Sequence, residues 1–354
     1  MRSFTGLDIV FRLLNGTLSG ENLEEALTTE ADLYLGPWNE VLKARELNAL
    51  LNSPTALAAM FASETAFAQL LDIAGAEMAA SDSATELISN TSSAILTVVT
   101  NTSYLNLWQN VSENKTRLQA RVNAGGSKLK RWNYTANGTW DIAALTSGLA
   151  AYSYFVCGEG GQGAASQSGS ASGRGGSGAE AKWGQVTTGL PNTNQTITVG
   201  TGNTTIGALH TALQGNDATA GTGNNTGPGT TGGAAIYDAD PQNAIWQANT
   251  GTKQGSYGGY GLPAASTGVA GGPGGPGLSG AGGTCAGSTF GGTGGTGLCS
   301  GGAGGGSDTG FGASPGGAAT GYGTGGGGAS LRGSDTASGG NPGGGLACLY
   351  GVAA

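Results

Sequence analysis

Along the first third of the chain, apolar positions recur at helical spacing, and the pattern then repeats itself. Pro37-Trp-Asn-Glu-Val-Leu-Lys-Ala-Arg-Glu-Leu-Asn-Ala-Leu-Leu51 places Val41, Leu42, Leu47, Leu50 and Leu51 on one side of a helix. From Ser53 the chain reads Ser-Pro-Thr-Ala-Leu-Ala-Ala-Met, and ten residues on it reads Ser63-Glu-Thr-Ala-Phe-Ala-Gln-Leu. The frame continues in degraded form at Ser83-Ala-Thr-Glu-Leu, Ser93-Ala-Ile-Leu and Ser103-Tyr-Leu-Asn-Leu. Ser at the start of a unit is a good N-cap, Pro54 suits the first helical position, and Leu57, Phe67, Leu87 and Leu107 recur in register. A unit of this length holds about one and a half to two helical turns plus a connection. Such a helix is marginal alone, so the units are expected to stack and bury their apolar sides together. An ordinary amphipathic bundle rich in Ala and Ser satisfies the same pattern.

Two flanking stretches complete this half. Leu7-Asp-Ile-Val-Phe-Arg-Leu-Leu14 is mildly apolar, broken by Asp8 and Arg12, too short to span a bilayer and unlike a secretory signal in layout. It reads as a docking segment for another protein or a neighbouring copy, or as a plain first helix. The basic residues Lys115, Arg117, Arg121, Lys128, Lys130 and Arg131 precede Trp132, Tyr134 and Trp140. Basic residues with interleaved aromatics can signal nucleic acid, but the chain carries a net charge of −8, so a solvated helix face leading into an aromatic junction is expected and no nucleic-acid partner.

Period-two patterning then takes over briefly, at Ala151-Tyr-Ser-Tyr-Phe-Val-Cys157, Ala181-Lys-Trp-Gly-Gln-Val-Thr187 and Gln195-Thr-Ile-Thr-Val-Gly200, and predicts strands. Around and beyond them lies glycine: 63 of the chain's 72 glycines and eight of its ten prolines fall in the last 197 positions. Such composition has disorder as its default, because ordering each residue costs about 1 to 2 kcal/mol of backbone entropy and glycine has the most to lose. Two features argue for order. Only 11 charged residues occur in those 197 positions, whereas disordered tails are usually highly charged. Gly271-Gly-Pro-Gly-Gly-Pro-Gly-Leu278 also returns as Gly291-Gly-Thr-Gly-Gly-Thr-Gly-Leu298. The local period of three predicts short polyproline II runs of about 7 to 9 residues, roughly 22 to 28 Å each, folded back within one chain. A Gly-X-Y triple helix is excluded because Leu278, Ser279 and Cys299 break the phase.

The succession of strand (151–157), glycine runs (Gly158-Glu-Gly-Gly-Gln-Gly163 and Ser172-Gly-Arg-Gly-Gly-Ser-Gly178), strand (181–187), Leu190-Pro191 and strand (195–200) resembles the glycine-rich domains of tail-fibre and adhesin proteins of tailed bacteriophages. The Ser-x-Thr-Ala-apolar repeats are similar to those of phage tail proteins. The resemblance implies a multi-domain protein: an α-helical N-terminal half of short stacked helices and a C-terminal polyproline II sandwich edged by short strands. Its expected parts are an attachment segment (1–50), a repeat connector (51–122), a basic and aromatic junction (123–150) and a glycine-rich distal domain (151–354). It further implies a structural virion component, assembled in the host cytoplasm. The N-terminal region would contact other tail proteins, and distal loops would meet a host receptor of protein or polysaccharide. A homo-oligomer, a trimer above all, is expected. The alternative is a neck, collar or head-surface fibre with an assembly role and no receptor contact.

Candidate receptor contacts are Tyr257, Tyr260, Phe290, Phe311 and Tyr322, with Arg332, at places where glycine runs turn; each could equally be an anchor at the lattice edge. Catalytic chemistry has little to work with. His210 is the single histidine, Asp238-Ala-Asp240 sits beside Pro241 in a turn, and the Gly-x-Gly strings lack a following Gly-Lys-Ser/Thr. No enzyme, cofactor or metal is expected. Cys157, Cys285, Cys299 and Cys348 form no Cys-x-x-Cys pair; Cys285 with Cys299, or Cys157 with Cys348, could become disulfides once a particle leaves the cytosol, and buried free thiols are the alternative.

Overall fold

The computed structural model describes residues 49–145, 147–200, 202–222, 238–264, 266 and 268–354. The apolar segment 7–14 and nearly all of the attachment segment 1–50 lie outside these; of the helix expected over 37–51, residues 49–51 are described and are helical.

The repeat frame does become short helices: α1 (Pro54–Phe61), α2 (Glu64–Ala80), α3 (Asp82–Asn90), α4 (Ser92–Thr100), α5 (Thr102–Gln109) and α6 (Ser112–Ala124). Their N-caps are Ser53, Ser63, Ser81, Thr91, Asn101 and Val111, ten apart except where α2 fuses two units across a kink at Ala74. The later starts thus fall two residues before Ser83, Ser93 and Ser103. Ser81 and Asn101 supply the reason, since their side-chain oxygens accept the amides of Ala84 and of Ser103 and Tyr104. Leu57 and Phe67 are fully buried in the shared core, while Leu87 and Leu107 pack at its edge beside fully buried Ile88, Leu105 and Trp108. Each fully buried large apolar side chain contributes about 1.5 to 3 kcal/mol, which stacking supplies and an isolated two-turn helix lacks.

The helices rest on one face of an antiparallel sheet ordered β1 (Leu129–Tyr134), β13 (Leu346–Ala353), β3 (Leu149–Cys157), β4 (Ala181–Val186), β8 (Gly251–Lys253). Strand alternation sorts the two faces. Ala151, Phe155 and Cys157 of β3, with Cys348, Tyr350 and Val352 of β13, join the helical core, and Ser92 of α4 donates to the Ala353 carbonyl at 2.7 Å. Tyr152 and Val156, with Ala347 and Leu349, face a second antiparallel sheet ordered β2 (Gly138–Trp140), β5 (Gln195–Thr198), β6 (Thr204–Ile206), β7 (His210–Ala212), around Trp140, Ile197 and Ile206. The expected boundary at 150 falls inside β3, and β1 and β2 of the junction pair with strands of the C-terminal part. Of the basic residues, Lys115 pairs with Asp238 at 2.7 Å, Arg117 with Asp82 at 2.7 Å and Arg121 with Glu86 at 3.1 Å.

Beyond the ends of β3, β4, β8 and β13, extended glycine segments pack against one another through their backbones. Segment 158–166 bonds to 172–180 through Gly158 N to Glu180 O, Gly161 N to Ser177 O and Ala164 N to Arg174 O. The intervening phase bonds to 337–343, through Gly160 N to Gly343 O, Gly163 N to Gly340 O and Ser166 N to Ala337 O. Partners therefore advance in steps of three, and successive residues address different neighbours. Segment 323–330 is bonded all round: Gly326 donates to Gly161, Gly327 to Gly317 and Gly328 to Ala303, while Gly176, Gly340 and Gly292 donate back to it. Every residue of 323–330 and of 299–306 is buried. A Cβ added at Gly326 would overlap the Gly340 carbonyl, and one at Gly302 the Gly326 carbonyl, so the approach that lets these bonds form admits no side chain. The remaining strands are two-stranded parallel pairs inside this region, β10 (Ser307–Asp308) with β12 (Leu331–Arg332) and β9 (Thr296–Leu298) with β11 (Thr320–Tyr322).

Candidate functional site

The registers of the glycine segments put their reversals at two opposite ends. One end abuts the five-stranded sheet, where Leu298, Cys299 and Leu346 join the main core. At the other, five turns meet. Ser168 Oγ donates to Ser334 O, the Ala264 amide to Ser170 O, the Val269 and Ser307 backbones bridge, Ser288 Oγ reaches Asp308, Ser314 Oγ donates to Thr289 O, and the Gly312 amide donates to Asp335. Charged residues, absent from the buried segments 299–306 and 323–330, gather here because only the reversals have room for long side chains.

The aromatic candidates divide among three places. Phe290 and Phe311 stand on the turn cluster, 55% and 81% exposed. Arg332 lies in the same cluster, its guanidinium folded over Gly310 and donating to the Gly312 carbonyl at 3.4 Å, so part of its bonding capacity is spent on bracing the turn. Tyr257 and Tyr260 lie on the flank instead. Three residues apart on one extended segment, they lay their rings over Gly275 and Gly272 of the next, whose amides donate to the Tyr257 and Tyr260 carbonyls. Tyr322 is at the sheet end, packed against the core with its hydroxyl accepting from Gln242 at 3.2 Å, and it serves as an anchor. Val269, exposed on the turn cluster, was not singled out by the sequence; its place depends on the bridge to Ser307 rather than on any local pattern.

The cysteines are free thiols, and the structure does not assemble them as either expected pair. Cys157 Sγ lies 2.7 Å from Cys299 Sγ, Cys348 sits opposite Phe155 in the sheet, and Cys285 faces the carbonyls of Gly287 and Phe290 in its own turn.

His210 is built into an aromatic stack. Its ring lies parallel to Tyr154 with centroids 3.5 Å apart, and Nε2 is 3.0 Å from the Tyr152 hydroxyl. Burial, with Lys182 as a second cause, lowers its pKa from 6.5 to about 4, while burial and then Tyr154 push Tyr152 up to about 12. Both are neutral near pH 7. Asp238 accepts from Lys115 and from the Asp240 amide, and Asp240 accepts from Asn243, so these two carboxylates cap a turn. Among the described residues no group of His, Cys, Asp and Glu could hold a metal ion, and no helix is long and apolar enough to cross a membrane. A comparison with protein-family models finds no match to this chain, and neither does a comparison with curated proteins.

Proposed function

We propose that this chain is a structural, non-enzymatic component of a tailed-phage virion, a tail-fibre or tail-tip protein that meets the host surface through the turn cluster of its glycine-rich part. The glycine segments are polyproline II helices packed as a sandwich, a reading supported by hydrogen-bond partners that advance in steps of three. The observation that carries the functional reading is the gathering of five turns at the end away from the sheet, with Phe290 and Phe311 exposed there on a lattice that has little conformational freedom left to lose. Exposed aromatics on a pre-ordered scaffold bind with a small ordering cost. The N-terminal region attaches the protein to other tail proteins, as part of a homo-oligomer, with a trimer favoured. The acid partners of the α6 bases support a protein or polysaccharide receptor over nucleic acid.

Competition for adsorption tests this. Purified full-length protein added to host cells before the phage should leave free virions in proportion to dose. Phe311→Ala should weaken that competition at least several-fold while shifting stability by no more than about 0.5 kcal/mol, as expected for an exposed turn residue. If saturating folded protein leaves adsorption untouched while antibodies locate it on the particle, the protein is a neck, collar or head-surface fibre.

A further inference from the structure

Backbone conformation and sulfur geometry single out Cys299 independently. Sixteen glycines take a positive φ, from Gly125 to Gly333, and Cys299 with φ of 59° is the one side-chain-bearing residue among the described residues that does so. Holding a non-glycine residue there is unfavourable, and in a region this rich in glycine the sequence had an unstrained choice at hand. The side chain needs its own justification. Its sulfur supplies one, lying 2.7 Å from that of Cys157, a residue 142 positions earlier, with both cysteines fully buried. The space over the two sulfurs is kept by Gly323, where a Cβ would overlap Cys157 Sγ and crowd Cys299 Sγ.

We infer that Cys157 and Cys299 are a built crosslinking pair, which forms a disulfide when the chain folds in the presence of a low-molecular-weight disulfide. One cysteine thiolate attacks that reagent and expels the first small thiol. The second thiolate then attacks the protein sulfur of the mixed disulfide and expels the other, so two S–H bonds are lost, one S–S bond forms and the reagent carries away both electrons and both protons. The bond joins the last residue of β3 to the start of the buried segment 299–306, tying the glycine lattice to the sheet at the place where the two meet. Burial, then the hydrogen bond with Cys299, push the Cys157 thiol well above its usual range, so exchange in the closed fold is slow and the crosslink belongs to folding, before the lattice shuts.

The test is refolding of the full chain in oxidised and reduced glutathione, against reduced glutathione alone, followed by thiol counting in denaturant and non-reducing peptide mapping. The expected result is two titratable thiols, Cys285 and Cys348, with one peptide linking 157 to 299, and a Tm higher by about 5 to 10 °C than that of the reduced protein. Cys299→Gly suits the positive φ and should fold equally well in reductant while losing the redox-dependent rise in Tm; Cys157→Ser should lose it too. Four thiols after oxidative refolding, or a crosslink through Cys285 or Cys348, would overturn the inference.

Discussion

The helical layer and the glycine lattice exclude water by opposite means. In the helices, backbone bonds are closed within each turn, and side chains such as Leu57, Phe67 and Trp108 fill the space between elements. In the lattice, side chains are removed and backbones fill the space themselves, with each amide spent on a different neighbour. The first arrangement tolerates a change of side-chain volume at some cost. The second has no volume to give where what lies opposite a glycine, as at Gly163, Gly302 and Gly326, is a carbonyl group rather than a flexible side chain.

The largest expected effect follows from that difference. Gly326→Ala drives a methyl group into the Gly340 carbonyl and should cost more than about 4 kcal/mol, or prevent folding of the lattice altogether. Gly344→Ala, where an added Cβ meets nothing, should change the unfolding free energy by no more than about 0.5 kcal/mol. Equal effects at the two sites would remove the distinction between glycines required by packing and glycines that merely fill sequence. In the helical layer, Phe67→Ala leaves a cavity and should cost about 3 to 5 kcal/mol by denaturant unfolding, a graded loss rather than a steric veto.

A smaller effect comes from the aromatic stack between the two sheets. His210 is held near a pKa of about 4, against 6.5 when unperturbed. Below pH 6.5 the unfolded chain takes up a proton that the folded chain refuses until about pH 4, so this contribution is full above that window and is lost as pH falls through it. Denaturant midpoints across the window should therefore fall with pH more steeply for the wild type than for His210→Gln. A parallel pair of profiles would show that the imidazole is not held neutral by its surroundings.

The two regions also differed in how far they could be read from sequence. Helix capping is local chemistry, so Ser53 and Ser63 announced their helices, and the ten-residue frame survived the shift to Ser81, Thr91 and Asn101. Glycine density announced close backbone approach. Pairing of distant strands was not legible. Leu346–Ala353 returns between β1 and β3 because its two apolar faces meet two different layers, a requirement visible only once both layers exist. The same holds for the sulfurs: position along the chain suggested 285 with 299 or 157 with 348, whereas the reversal at Cys299 turns its side chain toward Cys157 of β3. Of the site candidates, Phe290 and Phe311 were legible as large apolar residues stranded in turns. Tyr322 looked identical in sequence and is an anchor, since nothing local says which end of the lattice a turn occupies.

Hydrogen exchange of the native protein tests the central claim most directly. If backbone bonds hold the lattice together, the amides of 323–330 exchange as slowly as those of β13, through global opening. Exchange of 323–330 at the rate of an unstructured glycine-rich peptide, with β13 still protected, would contradict it.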